Sequence, residues 1–328
     1  MANKVLNWGL LSTARINNAL IPPLRASKRN RLLAVASRTQ ESAEQYAREK
    51  KISRAHGSYE SLLADPEIDV IYNPLPNHLH AEWTIKAVEA GKHVLCEKPL
   101  ALNVEEVDAM QAAASKHGRV VMEAFMYRHH PQTLKVQEIV KSGSLGTLKL
   151  LRGSFSFFLS RERDVRLDPA MGGGSIWDIG CYPISYARTV IGKNPLEVFG
   201  WQVTGPTGID ETFVGQMRFD HDIYAQFDCS FVIPFHAFME IIGSDGTLNI
   251  PKPFQPYENE KIYLTHGDEA ETIKIKGQEL YIGEVENIAD AILLGKEPRI
   301  SLEDSRANVR VITSLLESAR TGKPISCR

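Results

Sequence analysis

Strand-like and helix-like segments alternate through the first third of this chain, and that alternation limits the fold more than any other feature. Short apolar runs at 5–11, 32–37, 69–73, 92–95 and 120–123 read as buried strands. Between them, 14–26, 41–51, 79–90 and 104–117 read as helices. Pro22-Pro23 interrupts the first helix, Thr39 or Ser42 lies near the start of the second, and Gly91 follows the third as a C′ glycine. Strands that alternate with helices build a parallel sheet with helices on both faces, a doubly wound dinucleotide-binding topology.

The rest of the chain has a different rhythm. Runs at 148–158, 196–203, 211–219, 223–231, 237–243, 247–250, 261–265 and 271–275 alternate apolar with polar residues, the mark of antiparallel strands with one open face. At 328 residues the chain is long enough for two cores. The expectation is an α/β domain over 1–125 followed, over 126–328, by an α+β domain with a large, mostly antiparallel open-faced sheet. Few helices are available to cover that face, so a second copy of the chain is the natural cover, giving a homodimer or homotetramer. The closing helices, about 283–294 and 302–321, carry apolar residues at helical spacing and read as core, and one of them can pack back on the first domain.

Charge and cysteine usage exclude several classes of function. A net charge of −2 with the signs interspersed lacks the basic excess of nucleic-acid or membrane-surface proteins. Cys96, Cys181, Cys229 and Cys327 lie far apart, so neither a zinc site nor a disulfide framework is indicated. His78 and His80 lack an acidic or thiol companion, and no metal is expected. With no export leader and no long apolar span, the chain reads as a cytoplasmic protein that handles a small molecule.

In an open α/β sheet the ligand lies at the carboxyl ends of the strands. The first turn there holds Ser12, Ala14 and Asn17 where a glycine fingerprint would fall, yet small residues and a helix N-terminus still suit a pyrophosphate. The second strand ends in Ser37-Arg38. An acidic residue there would hold a ribose 2′-hydroxyl, whereas serine and arginine suit a 2′-phosphate, so NADP is preferred over NAD. The nucleotide surface is therefore expected from Ser12, Thr13, Ala14, Arg15 and Ile16, from Ser37 and Arg38, and from Pro74, Leu75, Asn77, His80, Glu97 and Lys98. Asn77 also reads as the N-cap of the helix that follows it. Lys98, pinned between a strand and Pro99, is well placed as a cation facing a reacting oxygen.

Gly172-Gly173-Gly174 permits a tight, closely approached turn. If Ser175 starts a helix, Asp178 and Tyr182 share one face, although Gly180 and Pro183 make that helix irregular. A carboxylate beside a phenol is an acid/base pair for an alcohol or carbonyl; the same spacing also fits a buried tyrosine bonded to an aspartate.

Glu97-Lys98-Pro99, the Pro74-to-His80 loop and Gly172-Gly173-Gly174 followed by Asp178 and Tyr182 together resemble the Gfo/Idh/MocA oxidoreductase family over nearly the whole chain. The resemblance implies an N-terminal Rossmann domain, a C-terminal sheet used for oligomerisation, and Lys98 as the catalytic lysine. Tyr182 stands where inositol-type members carry histidine, which is similar to the branch of NADP-dependent D-xylose dehydrogenases, dimeric dihydrodiol dehydrogenases and glucose-fructose oxidoreductases. The segment 123–131 resembles the domain junction of xylose-dehydrogenase-like members, with Arg128 and His130 as candidate substrate contacts.

Oxidising a secondary alcohol or hemiacetal requires loss of a proton while hydride leaves the same carbon. Tyr182 is assigned as general acid/base, Lys98 as the cation that favours the tyrosinate and steadies the alkoxide, and Asp178 either as a partner for a neighbouring sugar hydroxyl or as the group that orients the lysine. The expected activity is NADP-dependent dehydrogenation of an aldose such as D-xylose or D-glucose. Rival activities are glucose-fructose oxidoreductase, 1,5-anhydrofructose reductase, levoglucosan dehydrogenase and trans-dihydrodiol dehydrogenase. A non-enzymatic NADP-binding redox sensor is the alternative from a different class, and it would not need both Lys98 and Tyr182.

Overall fold

The computed structural model describes residues 4–160 and 164–327. The chain divides into two compact units. One runs to His129 and takes in Tyr281–Arg306; the other comprises His130–Leu280 and the chain from Ala307.

In the first unit the elements follow one another as β1 (Leu6–Leu11), α1 (Asn17–Ala26), β2 (Asn30–Ala36), α2 (Gln40–Lys50), β3 (Arg54–His56), α3 (Tyr59–Leu63), β4 (Val70–Asn73), α4 (His80–Glu89), β5 (His93–Glu97), α5 (Val104–His117) and β6 (Val121–Ala124). The six strands are parallel in the order β3-β2-β1-β4-β5-β6. The order reverses at β1, so the switch point lies between β1 and β4. Residues 8–11 of β1, 33–36 of β2, 70–72 of β4 and 94–96 of β5 are apolar and buried because both faces of the sheet are covered.

Three details differ from the expectations. The pair β3 and α3 was not foreseen; at three and five residues, neither is long enough to show a period. Helix α1 starts at Asn17 and runs through Pro22-Pro23 to Ala26 without interruption, since Leu20, Ile21, Pro23 and Leu24 are buried and packing outweighs the lost N–H groups. Helix α4 starts at His80 with no side-chain cap, and Asn77 instead opens a single 3-10 turn, 77–79.

The second unit contains α6 (Pro131–Lys141), β7 (Leu148–Ser156), α7 (Cys181–Ile191), β8 (Glu197–Thr204), β9 (Asp210–Arg218), β10 (Tyr224–Ser230), β11 (His236–Gly243), β12 (Thr247–Ile250), β13 (Asn259–His266), β14 (Glu269–Lys276) and, near the C-terminus, β15 (Ile325–Ser326). The helices α8 (Ile282–Leu294) and α9 (Leu302–Thr321) come between β14 and β15. Helix α8 lies in the first unit, where Ser27 and Arg29 bind Glu286 and Arg29 binds Asp290. The division between units falls within α9, after Arg306.

The second unit's strands form a nine-stranded sheet in the order β14-β13-β12-β11-β7-β10-β9-β8-β15, antiparallel except where β7 meets β10. Helix α7 approaches β7 at Gly153, where an added Cβ would lie 2.4 Å from Met239 Sδ and 3.1 Å from Pro183 Cβ. The opposite face presents Trp201, Val203, Val214, Tyr224 and Tyr263, all exposed. Trp201 pairs with Val214, Val214 with Asp228, Asp228 with Ser154, and Ser154 with Phe238, so one row of side chains crosses five strands. Among the described residues, no helix is long and apolar enough to cross a membrane.

Candidate active site

The first unit gathers its candidate residues at the carboxyl ends of β1, β2, β4 and β5. Ser12, directly after β1, adopts φ 122, a conformation that glycine accepts most readily. Its Oγ accepts from Ala14 N at 3.2 Å, and its carbonyl accepts from the fully buried Asn17 Nδ2 at 2.8 Å. Serine thus holds the turn that the glycine fingerprint would hold. Helix α1 has no side-chain cap and no acidic residue in its first turn, and its first amides, those of Asn17, Asn18 and Ala19, donate to the carbonyls of Ala14, Arg15 and Ile16. Ser37 is buried and Arg38 exposed at the end of β2, while Thr39 caps α2. No carboxylate stands at the end of β2 to oppose a phosphate.

Lys98 follows β5, and the chain around it is held at three successive residues. Glu97 Oε2 accepts from the amide of Lys98 at 3.2 Å, and Tyr72 Oη donates to Glu97 Oε1 at 2.5 Å. The carbonyl of Pro99, reached through a cis Lys98-Pro99 peptide, faces His80 Nδ1 at 2.8 Å. The amide of Leu100 donates to Glu123 Oε1 at 2.8 Å. His80 Nε2 also faces the carbonyl of Leu75 at 2.7 Å, so one imidazole ties the 74–77 loop to the segment that carries Lys98. Burial pushes His80 down to about 4; the neutral ring has one N–H and donates to one carbonyl at a time. Burial also drives Glu123 up to about 7, against the pull of Ser305 and the Leu100 amide. Asn73 completes the arrangement, donating to His80 O and Thr84 Oγ1 and accepting from Leu75 N.

In the second unit Asp178 and Tyr182 lie on one continuous helical segment. It opens with a π turn, Ile176–Gly180, and continues as α7. Pro183 cannot donate an i→i−4 bond, and the wider turn before it accommodates that loss. Gly180 is required by close approach to β10, because a Cβ there would lie 2.9 Å from Cys229 Sγ. Tyr182 is buried in an aromatic nest, edge-on to Phe155 at 5.3 Å and tilted against Phe254 at 5.6 Å. Asp178 accepts from Arg166 Nε at 2.7 Å, and Arg166 Nη1 reaches Asp164 at 3.1 Å. The two carboxylates raise the guanidinium above its ordinary range, with Asp178 the stronger influence.

The glycine turn accounts for this geometry. At Gly173 a Cβ would lie 2.5 Å from the carbonyl of Arg166, and that carbonyl accepts from Gly174 N at 2.9 Å. Gly172 and Gly174 have φ 77 and 129. The turn therefore wraps the Arg166 backbone and sets the guanidinium against Asp178.

Arg128 and His130, expected at a substrate pocket, are tied into the fold. Arg128 is buried and its Nη1 donates to Asp304 at 2.8 Å. His130, also buried, caps α6 through Nδ1, which accepts from Gln132 N at 3.1 Å; desolvation lowers its pKa. Among the described residues, no cluster of three His, Cys, Asp or Glu could hold a metal. Sequence reasoning missed Arg166, Glu123 and Tyr72. Each reaches its partner across 12 to 25 residues of chain, a pairing with no sequence period to reveal it.

Comparison with known proteins places this arrangement among oxidoreductases. Residues 6–125 match a family model described as an oxidoreductase family with NAD-binding Rossmann fold, and 133–249 match the GFO/IDH/MocA C-terminal domain. A D-xylose 1-dehydrogenase (NADP(+)) of Haloferax volcanii is 36% identical over 323 residues, 97% of this chain and 98% of the relative. A trans-1,2-dihydrobenzene-1,2-diol dehydrogenase of Danio rerio is 34% identical over 250 residues, 75% of this chain and 74% of the relative. The crystal structure of the aldose-aldose oxidoreductase from Caulobacter crescentus, complexed with glycerol, superposes with a TM-score of 0.91 at 25% identity, covering 98% of this chain and 100% of that one.

Proposed function

Because the chain belongs to the Gfo/Idh/MocA oxidoreductase family, we propose that it is an NADP-dependent dehydrogenase transferring hydride between the nicotinamide and C1 of an aldose, D-xylose first among candidates. The grip on the backbone around Lys98 carries this reading. Bonds at Lys98, Pro99 and Leu100 fix a cation at the ligand end of a dinucleotide-binding sheet, as an enzyme needs and a binding module does not. Relatives named as acting on aldoses and diols support the substrate class.

In this reading the domain over 1–125 binds the dinucleotide. The Ser12 turn ahead of α1 receives the pyrophosphate, with Thr13, Ala14, Arg15 and Ile16 alongside. Ser37 and Arg38 receive the 2′-phosphate, and Pro74, Leu75, Asn77, His80 and Glu97 complete the surface. When bound, NADP supplies the carbon that takes or returns the hydride. Tyr182 Oη removes the proton from the sugar hydroxyl during oxidation and returns it during reduction. The Lys98 ammonium stabilises negative charge on the same oxygen. Asp178, held by Arg166, accepts a neighbouring hydroxyl.

The domain over 126–328 binds substrate and self-associates through the sheet face that exposes Trp201, Val203, Val214 and Tyr224, giving a homodimer or homotetramer.

Mixing the protein with NADP+ and D-xylose and following absorbance of the reduced cofactor tests the reading. Turnover is expected; no signal with D-xylose, D-glucose or a trans-dihydrodiol, in either direction, sinks it. The likeness to an aldose-aldose oxidoreductase favours a second reading, in which one aldose is oxidised and another reduced. Two aldoses supplied without added cofactor separate the two readings, since only the second predicts product.

A further inference from the structure

Asp210, the first residue of β9, is buried beneath the segment that carries Asp178 and Tyr182. Its Oδ2 accepts from the Ser175 hydroxyl and from the Ile176 amide, each at 2.7 Å. That segment, 176–191, has no N-terminal side-chain cap of its own: neither Ser175 nor Gly180 supplies one at the start of the π turn or of α7. A carboxylate from another strand therefore meets amides that local sequence leaves unsatisfied, and its charge complements the helix N-terminus. Gly174 makes room for it, since a Cβ there would lie 2.2 Å from Asp210 Oδ1.

We propose that Asp210 is a positioning residue, the remote cap that fixes the start of the catalytic segment and thereby the placement of Asp178 and Tyr182. The proposal rests on the roles given to those two residues above. Asp210 touches neither of them; it acts through Ser175 and Ile176.

Titration of this carboxylate links the cap to pH. Burial drives Asp210 up to about 6, against the pull of the Ser175 hydroxyl and the Ile176 amide. The groups facing it are that hydroxyl and amide from the helix and the Cys229 thiol from β10, which burial and the carboxylate itself drive well above the ordinary thiol range. Asp228, its acidic neighbour on β10, alternates with Cys229 and accepts from Ser154, and the Glu211 side chain lies against Gly205. Below pH 6 the carboxyl is neutral and the charge-assisted bond to Ile176 is lost. The cap then loosens, and turnover falls.

The test compares Asp210→Asn and Asp210→Ala in the full-length protein by two readouts. Hydrogen exchange of the peptide spanning 174–182 requires no substrate, and kcat with NADP+ and D-xylose is followed from pH 5 to 8. Asparagine retains an acceptor for Ile176 but cannot titrate. D210N is expected to hold, from pH 5 to 8, the weaker protection of 174–182 and the lower kcat that the wild type shows only below pH 6, so that the acid limb near pH 6 disappears. D210A is expected to lose protection in that peptide and about 10²-fold in kcat, the scale of a small misplacement of reacting groups. An unchanged acid limb in D210N overturns the proposal, as does unchanged protection in D210A. Absent wild-type turnover with D-xylose counts against the substrate reading alone, because the exchange readout still decides the cap.

Discussion

Arg38 and Lys98 follow β2 and β5, two strands of one sheet separated by β1 and β4, and the proposed function gives them different work. Arg38 is exposed, and in the proposed reading it contributes affinity for a phosphate. Replacing it with alanine is expected to weaken NADP+ binding about 10- to 100-fold while changing NAD+ binding little, the range of a lost charge-assisted bond; titration calorimetry at two salt concentrations measures it. In the same reading Lys98 contributes to the chemical step, and the local bonds of the structure fall on the backbone around it. The positions of Lys98 at the end of a strand and of Asp178 and Tyr182 on one helical segment were legible in the sequence because each lies in a short local pattern: a strand followed by Lys-Pro, and two polar residues four apart after a glycine turn. Arg166, Glu123 and Asp210 were not legible. Their partners are set by strand order and by a turn wrapping a carbonyl, and neither leaves a mark at fixed spacing.

At the scale of elements, the link between β5 and β6 makes a separate statement about pH. Glu123 on β6 holds the Leu100 amide that follows Lys98-Pro99, and burial drives its carboxyl up to about 7. Between the ordinary glutamate range and pH 7 the folded protein holds a proton that the unfolded chain has released. Stability therefore falls as pH rises through that window and levels off above it. Glu123→Gln keeps an acceptor for Leu100 and removes the ionisation. Its melting temperature is expected to match wild type near pH 5 and to exceed it at pH 8, by a free energy on the order of 3 kcal/mol at most. Melting curves that stay parallel across this range contradict the account. Most elements of the parallel sheet were readable from periodicity and caps. The short β3 and α3 were not, nor was the unbroken helix through Pro22-Pro23, where burial of Leu20, Ile21 and Leu24 decides the outcome.

At the scale of the molecule, the nine-stranded sheet buries one face under its own helices and leaves Trp201, Val203, Val214 and Tyr224 exposed on the other. Such a face suits a second copy. Trp201 and Val214 are directly opposed in register, so Trp201→Glu with Val214→Glu places two like charges side by side on the exposed apolar part of this face. Light scattering after gel filtration is expected to show monomer where the parent forms dimer or tetramer. A parent that is itself monomeric, or a double variant that still assembles, contradicts this use of the face.

The central claim, that Lys98 and Tyr182 perform the chemistry of an NADP-dependent sugar dehydrogenase, meets its most direct test in one comparison. Turnover with NADP+ and D-xylose and the dissociation constant for NADP+ are measured side by side for the wild type, Lys98→Ala and Tyr182→Phe. The account predicts losses of about 10²- to 10⁴-fold in kcat for each variant, the range for a positioned acid/base group, with NADP+ affinity within a few-fold of wild type. Wild-type turnover in either variant would contradict it.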